Sequence, residues 1–278
     1  MFRQRFFNYP AAMVVFVSIS ALFLSGGPSA FAQDSPEFEI GETIYENPLN
    51  SPEDVEDWVA ECAQEGRPIR ISSPENEDML RLYSEKEHFL FWCPEDFPDN
   101  IAVSWDFLPI ERVDERGLAM FWMAATGENG KDLFHPSLDE REGHYKQYTD
   151  GDINAMHFSY YRRNTYNQEA RFHKCVLRKA IANKGSPRVA RAGDPMADTT
   201  NAEKPYRIQV IKYGPYFRIS IKDRHGAHKG FMKVLEWKDD GEKGSIFEGG
   251  KIGFRQMRGL IADYSNLKVQ RVTKDSDR

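Results

Sequence analysis

The chain has 278 residues, 13% of them aromatic, with 37 Lys and Arg against 43 Asp and Glu and a formal net charge of −6. That acidic balance excludes a general nucleic-acid binder, which needs a basic footprint for phosphate, without excluding a local basic pocket. Three cysteines, Cys62, Cys93 and Cys175, are too few for a disulfide scaffold, and the absence of C-x-x-C removes that zinc and redox signature.

The N-terminus carries Arg3 and Arg5, then an apolar run from Ala11 to Leu24, a break at Gly26, Gly27 and Pro28, and Ala30-Phe31-Ala32. A basic start, a short apolar stretch and an A-x-A ending define a secretory signal peptide over residues 1–32. The apolar run falls short of the roughly 20 residues that span a bilayer, which disfavours a retained anchor. The protein is therefore expected to be exported, periplasmic or secreted, with no membrane attachment after cleavage. Losing Arg3 and Arg5 takes the formal charge from −6 to −8. Cys62 and Cys93 can then form one disulfide in an oxidising compartment, or all three thiols can stay buried and free; the sequence supports both.

Residues 33–42 are acidic and weakly patterned and read as a mobile leader. Ser51-Pro52-Glu53-Asp54-Val55 reads as a capped helical turn, with Pro52 at the first helical position and acids at the positive end. Beyond it, runs rich in aromatic and β-branched residues recur between Gly, Pro, Asn and Asp. Strands are predicted at 79–83, 88–92, 101–110, 118–126, 153–163, 171–177, 206–213, 216–223, 231–237, 251–257 and 262–272. That spacing predicts an all-β sandwich or barrel. Tyr213-Gly214-Pro215-Tyr216 and Arg224-His225-Gly226-Ala227 supply two hairpin turns. No long segment holds a 3.6-residue period, so helices should be short and peripheral. Residues 127–151 read as a long polar loop, 180–204 as a second non-strand excursion and 273–278 as a disordered tail.

The segment Asp150 to Arg163 carries the most chemistry. In a strand with period two, Met156, Phe158 and Tyr160 share the core face, and His157, Ser159, Tyr161 and Arg163 share the other. Imidazole, phenol and guanidinium in one row suit β-elimination from a uronic acid. Arg neutralises the carboxylate, while His and Tyr serve as base and acid. An ordinary solvated sheet face is the competing reading. The neighbouring loop adds His135, His144, Tyr145 and Tyr148. Trp92, Trp105 and Trp122 are either core packing or stacking platforms for sugar rings.

Other signals are weaker. Asp150-x-Asp152-x-Asn154 resembles the start of a calcium loop, but the glycine and distal Glu of an EF-hand are missing; Ca2+ is a minor alternative to no cofactor. His225-x-x-His228 lies in a turn with no third ligand placed beside it. No E-x-D-x-x-E strand pattern supports the paired carboxylates of a glycoside hydrolase. G-x-S-x-G, H-E-x-x-H, the P-loop and the dinucleotide fingerprint are absent.

Thr43-Ile44-Tyr45-Glu46-Asn47-Pro48-Leu49, with Ser51–Val55 and Trp58, resembles the start of the YesU-like family of concanavalin A-like (lectin/glucanase) domains. Asp150–Asn154 with His157, Ser159-Tyr160 and Arg162-Arg163 resembles its central signature. Gly250–Met257 followed by Tyr264–Leu267 is similar to the closing strands of many such domains. The resemblance covers residues 43–272 and implies a two-sheet jelly roll with a concave face, used on plant or algal acidic polysaccharide. Glu61–Gly66 departs from the shorter turn expected there. The leading expectation is an exported carbohydrate-active protein acting on uronate-containing glycans by lyase-type elimination. In it His157, Tyr161 and Arg163 act on the substrate, while Arg162, His135, His144, Tyr148, Trp122 and Gln256 bind it. A non-catalytic glycan-binding domain, or a hydrolase whose carboxylates meet only in three dimensions, is the alternative.

Overall fold

The computed structural model describes residues 36–63, 69–74, 78–84, 87–112, 116–164, 174–193, 196, 205–222 and 230–274, with backbone alone at 116, 163 and 164. The segment read as a signal peptide, the turn expected at Arg224–Ala227 with His225 and His228, and the last four residues lie outside them. Fifteen strands are described: β1 Phe38–Asn47, β2 Val59–Cys62, β3 Arg70–Ser72, β4 Leu80–Tyr83, β5 Phe89–Trp92, β6 Ile101–Arg112, β7 Arg116–Gly127, β8 Ile153–Asn164, β9 Cys175–Ala180, β10 Arg188–Ala192, β11 Tyr206–Tyr213, β12 Tyr216–Lys222, β13 Phe231–Lys238, β14 Lys251–Gln256 and β15 Leu260–Lys274. The one α-helix among them, α1, spans Tyr145–Thr149. Pro52–Val55 forms the capped turn, as a 3-10 helix in which Asp54 Oδ2 accepts the Ser51 N–H at 2.9 Å.

All strand pairs are antiparallel. The first sheet runs β13-β12-β11-β6-β15-β4-β3, with β1 added on β15, and the second runs β10-β9-β8-β7-β14-β5-β2. Aromatic residues spaced by two fill the space between the sheets. Trp105 stacks on Phe121 at 4.4 Å and meets Tyr160 and Phe254 edge-on. Such rings supply the largest apolar payload per residue.

Four strands escape the sequence pattern. β1 begins at Phe38, inside the stretch read as a mobile leader. Residues Phe38–Asn47 pair with the distal part of β15, while β4 pairs with its first part. The leader is thus partly structural, because an open strand edge is covered. β15 also runs to Lys274, past the expected end of the domain. β2 and β3 are only four and three residues long. β10 lies inside the excursion read at 180–204 and pairs with β9.

The three cysteines are buried free thiols. Register explains why Cys62 and Cys93 do not pair. Cys62 sits opposite Phe89, and Val59 opposite Trp92. At roughly 3.4 Å per residue, the two Cα atoms stand on the order of 13 Å apart, beyond the reach of a disulfide.

Candidate functional site

The outer face of the second sheet is built by β8 and its neighbours. Trp122 of β7 lies opposite His157, Phe121 opposite Phe158 and Met120 opposite Ser159; the register then slips, so that Ala119 faces Tyr161 and Leu118 faces Arg162. This bulge sends Tyr160 and Tyr161 both into the core between the sheets, where their rings lie 5.0 and 5.7 Å from Phe107. Gly117 leaves room for it, since a Cβ there would stand 2.9 Å from Tyr161 Cε1. The expected row of His157, Ser159, Tyr161 and Arg163 does not form. A bulge adds one residue to one strand and inverts the alternation after it. Arg162, opposite Leu118, takes the position on the outer face that strict alternation gives to Tyr161; the side chain of Arg163 lies outside the described residues.

Residues 128–152 fold over part of this face and bury a second core around Trp92, Trp122, Leu133 and Tyr148. The loop is pinned by charge. Glu61 of β2 accepts from Trp92 Nε1 at 2.8 Å and pairs with Arg141 of the loop at 2.8 Å. Arg255 of β14, fully buried, donates from Nη2 to the Gly143 carbonyl at 2.7 Å, with the rings of Tyr145 and Tyr148 at 5.5 and 5.1 Å. Gly143 has φ +85°, and a Cβ on it would come within 2.1 Å of the His88 carbonyl oxygen. Only glycine fits there.

This packing removes several expected contacts from solvent. Trp122 and Tyr148 are fully buried and offer no platform to a sugar. His157 is sealed beneath them, with its ring stacked on Trp122 at 4.0 Å and 9° and Nε2 hydrogen-bonded to Ser186 Oγ at 2.9 Å. Its Nδ1 is buried without a partner. Burial, aided by Arg178 and Arg255, holds the imidazole well below its ordinary pKa, so it is neutral and dry. Gln256 points between the sheets, its amide 2.9 Å from the Tyr264 hydroxyl. His135 and His144 are exposed in the loop, His135 bonded to Ser137. Asp152 and Asn154 brace the loop: Asp152 Oδ2 accepts the Asp139 N–H at 2.6 Å, and Asn154 Oδ1 accepts the Ala182 N–H at 3.0 Å. Among the described residues, no three His, Cys, Asp or Glu side chains converge as a metal site.

Beside the loop lies a cleft of about 310 Å³. Leu118, Met120, Val176 and Met257 give it an apolar lining; Tyr145, Ser159 and His88 add polar edges; Arg162 and Arg178 bring two guanidinium groups. Arg178 is oriented by a 2.7 Å bond from Nη1 to the Ser186 carbonyl. His88 Nδ1 accepts the Arg258 N–H at 3.1 Å, which places the ring proton on Nε2. Burial, with Arg255 and Arg258, pushes His88 down to about 4. Burial raises the Tyr145 phenol despite the nearby Arg178, Arg255 and Arg162. The cleft therefore holds positive charge, two neutral titratable groups that can donate hydrogen bonds, and no carboxyl group on its lining. Of the expected site residues only Arg162 lines it, joined by Tyr145 of the loop. Arg178, His88 and Met257 were missed. Arg178 shares the less buried face of β9 with Val176 and alternates with buried Cys175 and Leu177, the one local sign that it faces outward.

Two antiparallel sheets with almost no helix, one covered in part by a long pinned loop, define a galectin-like jelly roll of the concanavalin A-like class. Residues 42–269 match the family described as "Domain of unknown function (DUF1961)", and the chain belongs to that family. It is 41% identical over 238 residues to uncharacterized protein YesU of Bacillus subtilis (strain 168), covering 85% of this chain and 99% of that protein. A crystal structure of a protein of unknown function with galectin-like fold from Bacillus subtilis superposes with TM-score 0.73 at 41% identity, again over 85% and 99%. The potassium-bound Emp46p carbohydrate recognition domain shares the fold, with TM-score 0.51 at 12% identity over 81% of this chain and 95% of that one.

Proposed function

We propose that the protein binds acidic, uronate-containing oligo- or polysaccharide in the cleft on the outer face of the second sheet. The observation that carries this reading is the union of Arg162 and Arg178 with an aromatic ring and an apolar lining in one cleft free of lining carboxylates. Guanidinium groups fit carboxylates in two-pronged hydrogen bonds. Apolar and aromatic groups pack on the C–H faces of sugar rings, and a few placed polar groups fix orientation. The description of Emp46p as a carbohydrate recognition domain accords with this use of the fold. The signal peptide read at residues 1–32 would set the encounter outside the cytoplasm.

Binding without turnover is the form we favour. A hydrolase needs two facing carboxyl groups, and none lines the cleft. A lyase needs a base near the working pH. The groups available are Tyr145, whose phenol is raised by burial, and His88, which is neutral and a weak base. Calorimetry with digalacturonate and with a neutral galactan tests the reading. The acidic sugar alone should bind, and Arg178→Ala should weaken it roughly 10- to 100-fold, the span of one charge-assisted hydrogen bond. Equal binding of the neutral glycan, or no binding of the acidic one, refutes it. New ultraviolet absorbance from an unsaturated product would show elimination and overturn the non-catalytic form.

A further inference from the structure

Beyond the cleft, the same sheet face continues across β9 to β10, the edge strand. Arg188 lies directly opposite Arg178, and Arg191 directly opposite Val176. Arg178 and Val176 both line the cleft, and residues opposite one another in an antiparallel pair share a face. A register slip between Arg188 and Ala190 places these two arginines, three positions apart, on one side; Val189, Ala190 and Ala192 pack against the core on the other. Arg188 and Arg191 are exposed, and among the described residues neither makes an ion pair or a side-chain hydrogen bond. Like charges set directly opposite on a sheet destabilise it, so Arg178 beside Arg188 needs a reason outside the fold. Adjacent strands lie roughly 4.8 Å apart. Arg162, Arg178 and the β10 pair therefore carry positive charge across three neighbouring strands, from the cleft to the sheet edge.

We infer that this arginine track holds a polyanionic glycan chain that runs on from the cleft over β9 and β10. The inference rests on the proposed binding reading and deepens it: the ligand is a polymer with a carboxylate on successive sugars, not an isolated uronate. The cleft of about 310 Å³ takes the first rings, and the open track meets those that follow. The formal charge of −6 on the whole chain opposes a long nucleic acid, whose phosphates would meet the acidic remainder of the surface.

The test compares digalacturonate with polygalacturonate, measured by calorimetry on the wild-type protein and on the double variant Arg188→Ala, Arg191→Ala, with thermal unfolding as the folding control. Both positions are exposed, and Arg188→Ala removes the like-charge contact with Arg178, so the unfolding temperature should not fall. The wild type should bind the polymer more tightly than the dimer. The double variant should lose roughly tenfold for the polymer, with a shallower salt dependence, and nothing for the dimer. An unchanged polymer affinity in the double variant, or equal wild-type affinities for both ligands, overturns the track while leaving the cleft intact. Failure of the wild type to bind either ligand removes the binding reading itself. Displacement of the polymer by an equal charge of single-stranded DNA overturns the polysaccharide assignment.

Discussion

Replacing His157 by alanine separates a buried structural imidazole from a catalytic one. The side chain is 0% exposed and stacks on Trp122 with centroids 4.0 Å apart. Truncating a fully buried phenyl ring costs about 3–5 kcal/mol through lost transfer energy and the cavity left behind. Imidazole is smaller. Its bond to Ser186 contributes about 1 kcal/mol, while removing the unpartnered Nδ1 returns a similar amount. The cavity term decides the sign, and we set the loss at about 2–3 kcal/mol. For a domain of this size that lowers the midpoint of thermal unfolding by roughly 4–12 °C. His157→Phe, which can keep the stack on Trp122, should recover most of it. Calorimetric unfolding and ligand titration at 20 °C below the variant's midpoint then report on the same sample. Folded His157→Ala should bind acidic glycan within about twofold of wild type. A variant that unfolds at the wild-type temperature yet loses binding or turnover would show that His157 meets the ligand, and the buried reading would fail.

The loop and the imidazoles give two further tests. Gly143→Ala forces a Cβ to 2.1 Å from a backbone oxygen at φ +85°. It should cost more than about 3 kcal/mol or release the 128–152 loop, seen as early proteolysis within it; unchanged stability and protease resistance would refute the pinning. His157 and His88 are both held below the ordinary value of 6.5, so between that pH and their folded pKa values the unfolded chain binds more protons. Their stabilising effect is complete above pH 6.5 and is lost as the pH falls toward about 4 for His88 and lower for His157. The unfolding temperature should fall on that acid limb, less steeply in His157→Phe than in wild type, and parallel limbs in the two proteins would contradict it.

The fold was largely legible because strand alternation and turn chemistry are local. Tyr213-Gly214-Pro215-Tyr216 shows as a hairpin whose outer residues pair. β2, β3 and β10 were not legible, because segments of three to five residues carry no period long enough to read. β1 escaped for another reason: its burial alternates only weakly, and it is held by the exposed edge of β15. The site was legible in composition but not in placement. The segment around β8 contributes Ser159 and Arg162 to the cleft, yet His157 stacks on Trp122 with Tyr145 of the loop edge-on to it. Nothing local to Trp122 tells that residues 128–152 fold back over it and pack Tyr148 against it.

What the sequence could not reveal was the pair of bulges, and they determine which charges reach the outer face of the second sheet. With strict alternation on β8, Tyr161 would enter the cleft and Arg162 would point into an aromatic core, where a guanidinium without partners is far costlier than a phenol. The slip at Tyr160–Tyr161, accommodated by the bare Cα of Gly117, reverses that choice and aligns Arg162 with Leu118 beside the cleft. The slip between Arg188 and Ala190 does the same on β10, turning two arginines outward and the small apolar residues between and after them inward. Each bulge disrupts the regular strand ladder and re-aims side chains. Two such departures, on strands separated only by β9, both bring arginine to one face. That shared outcome is the ground for our proposal that the face is a built anion surface rather than incidental solvated charge.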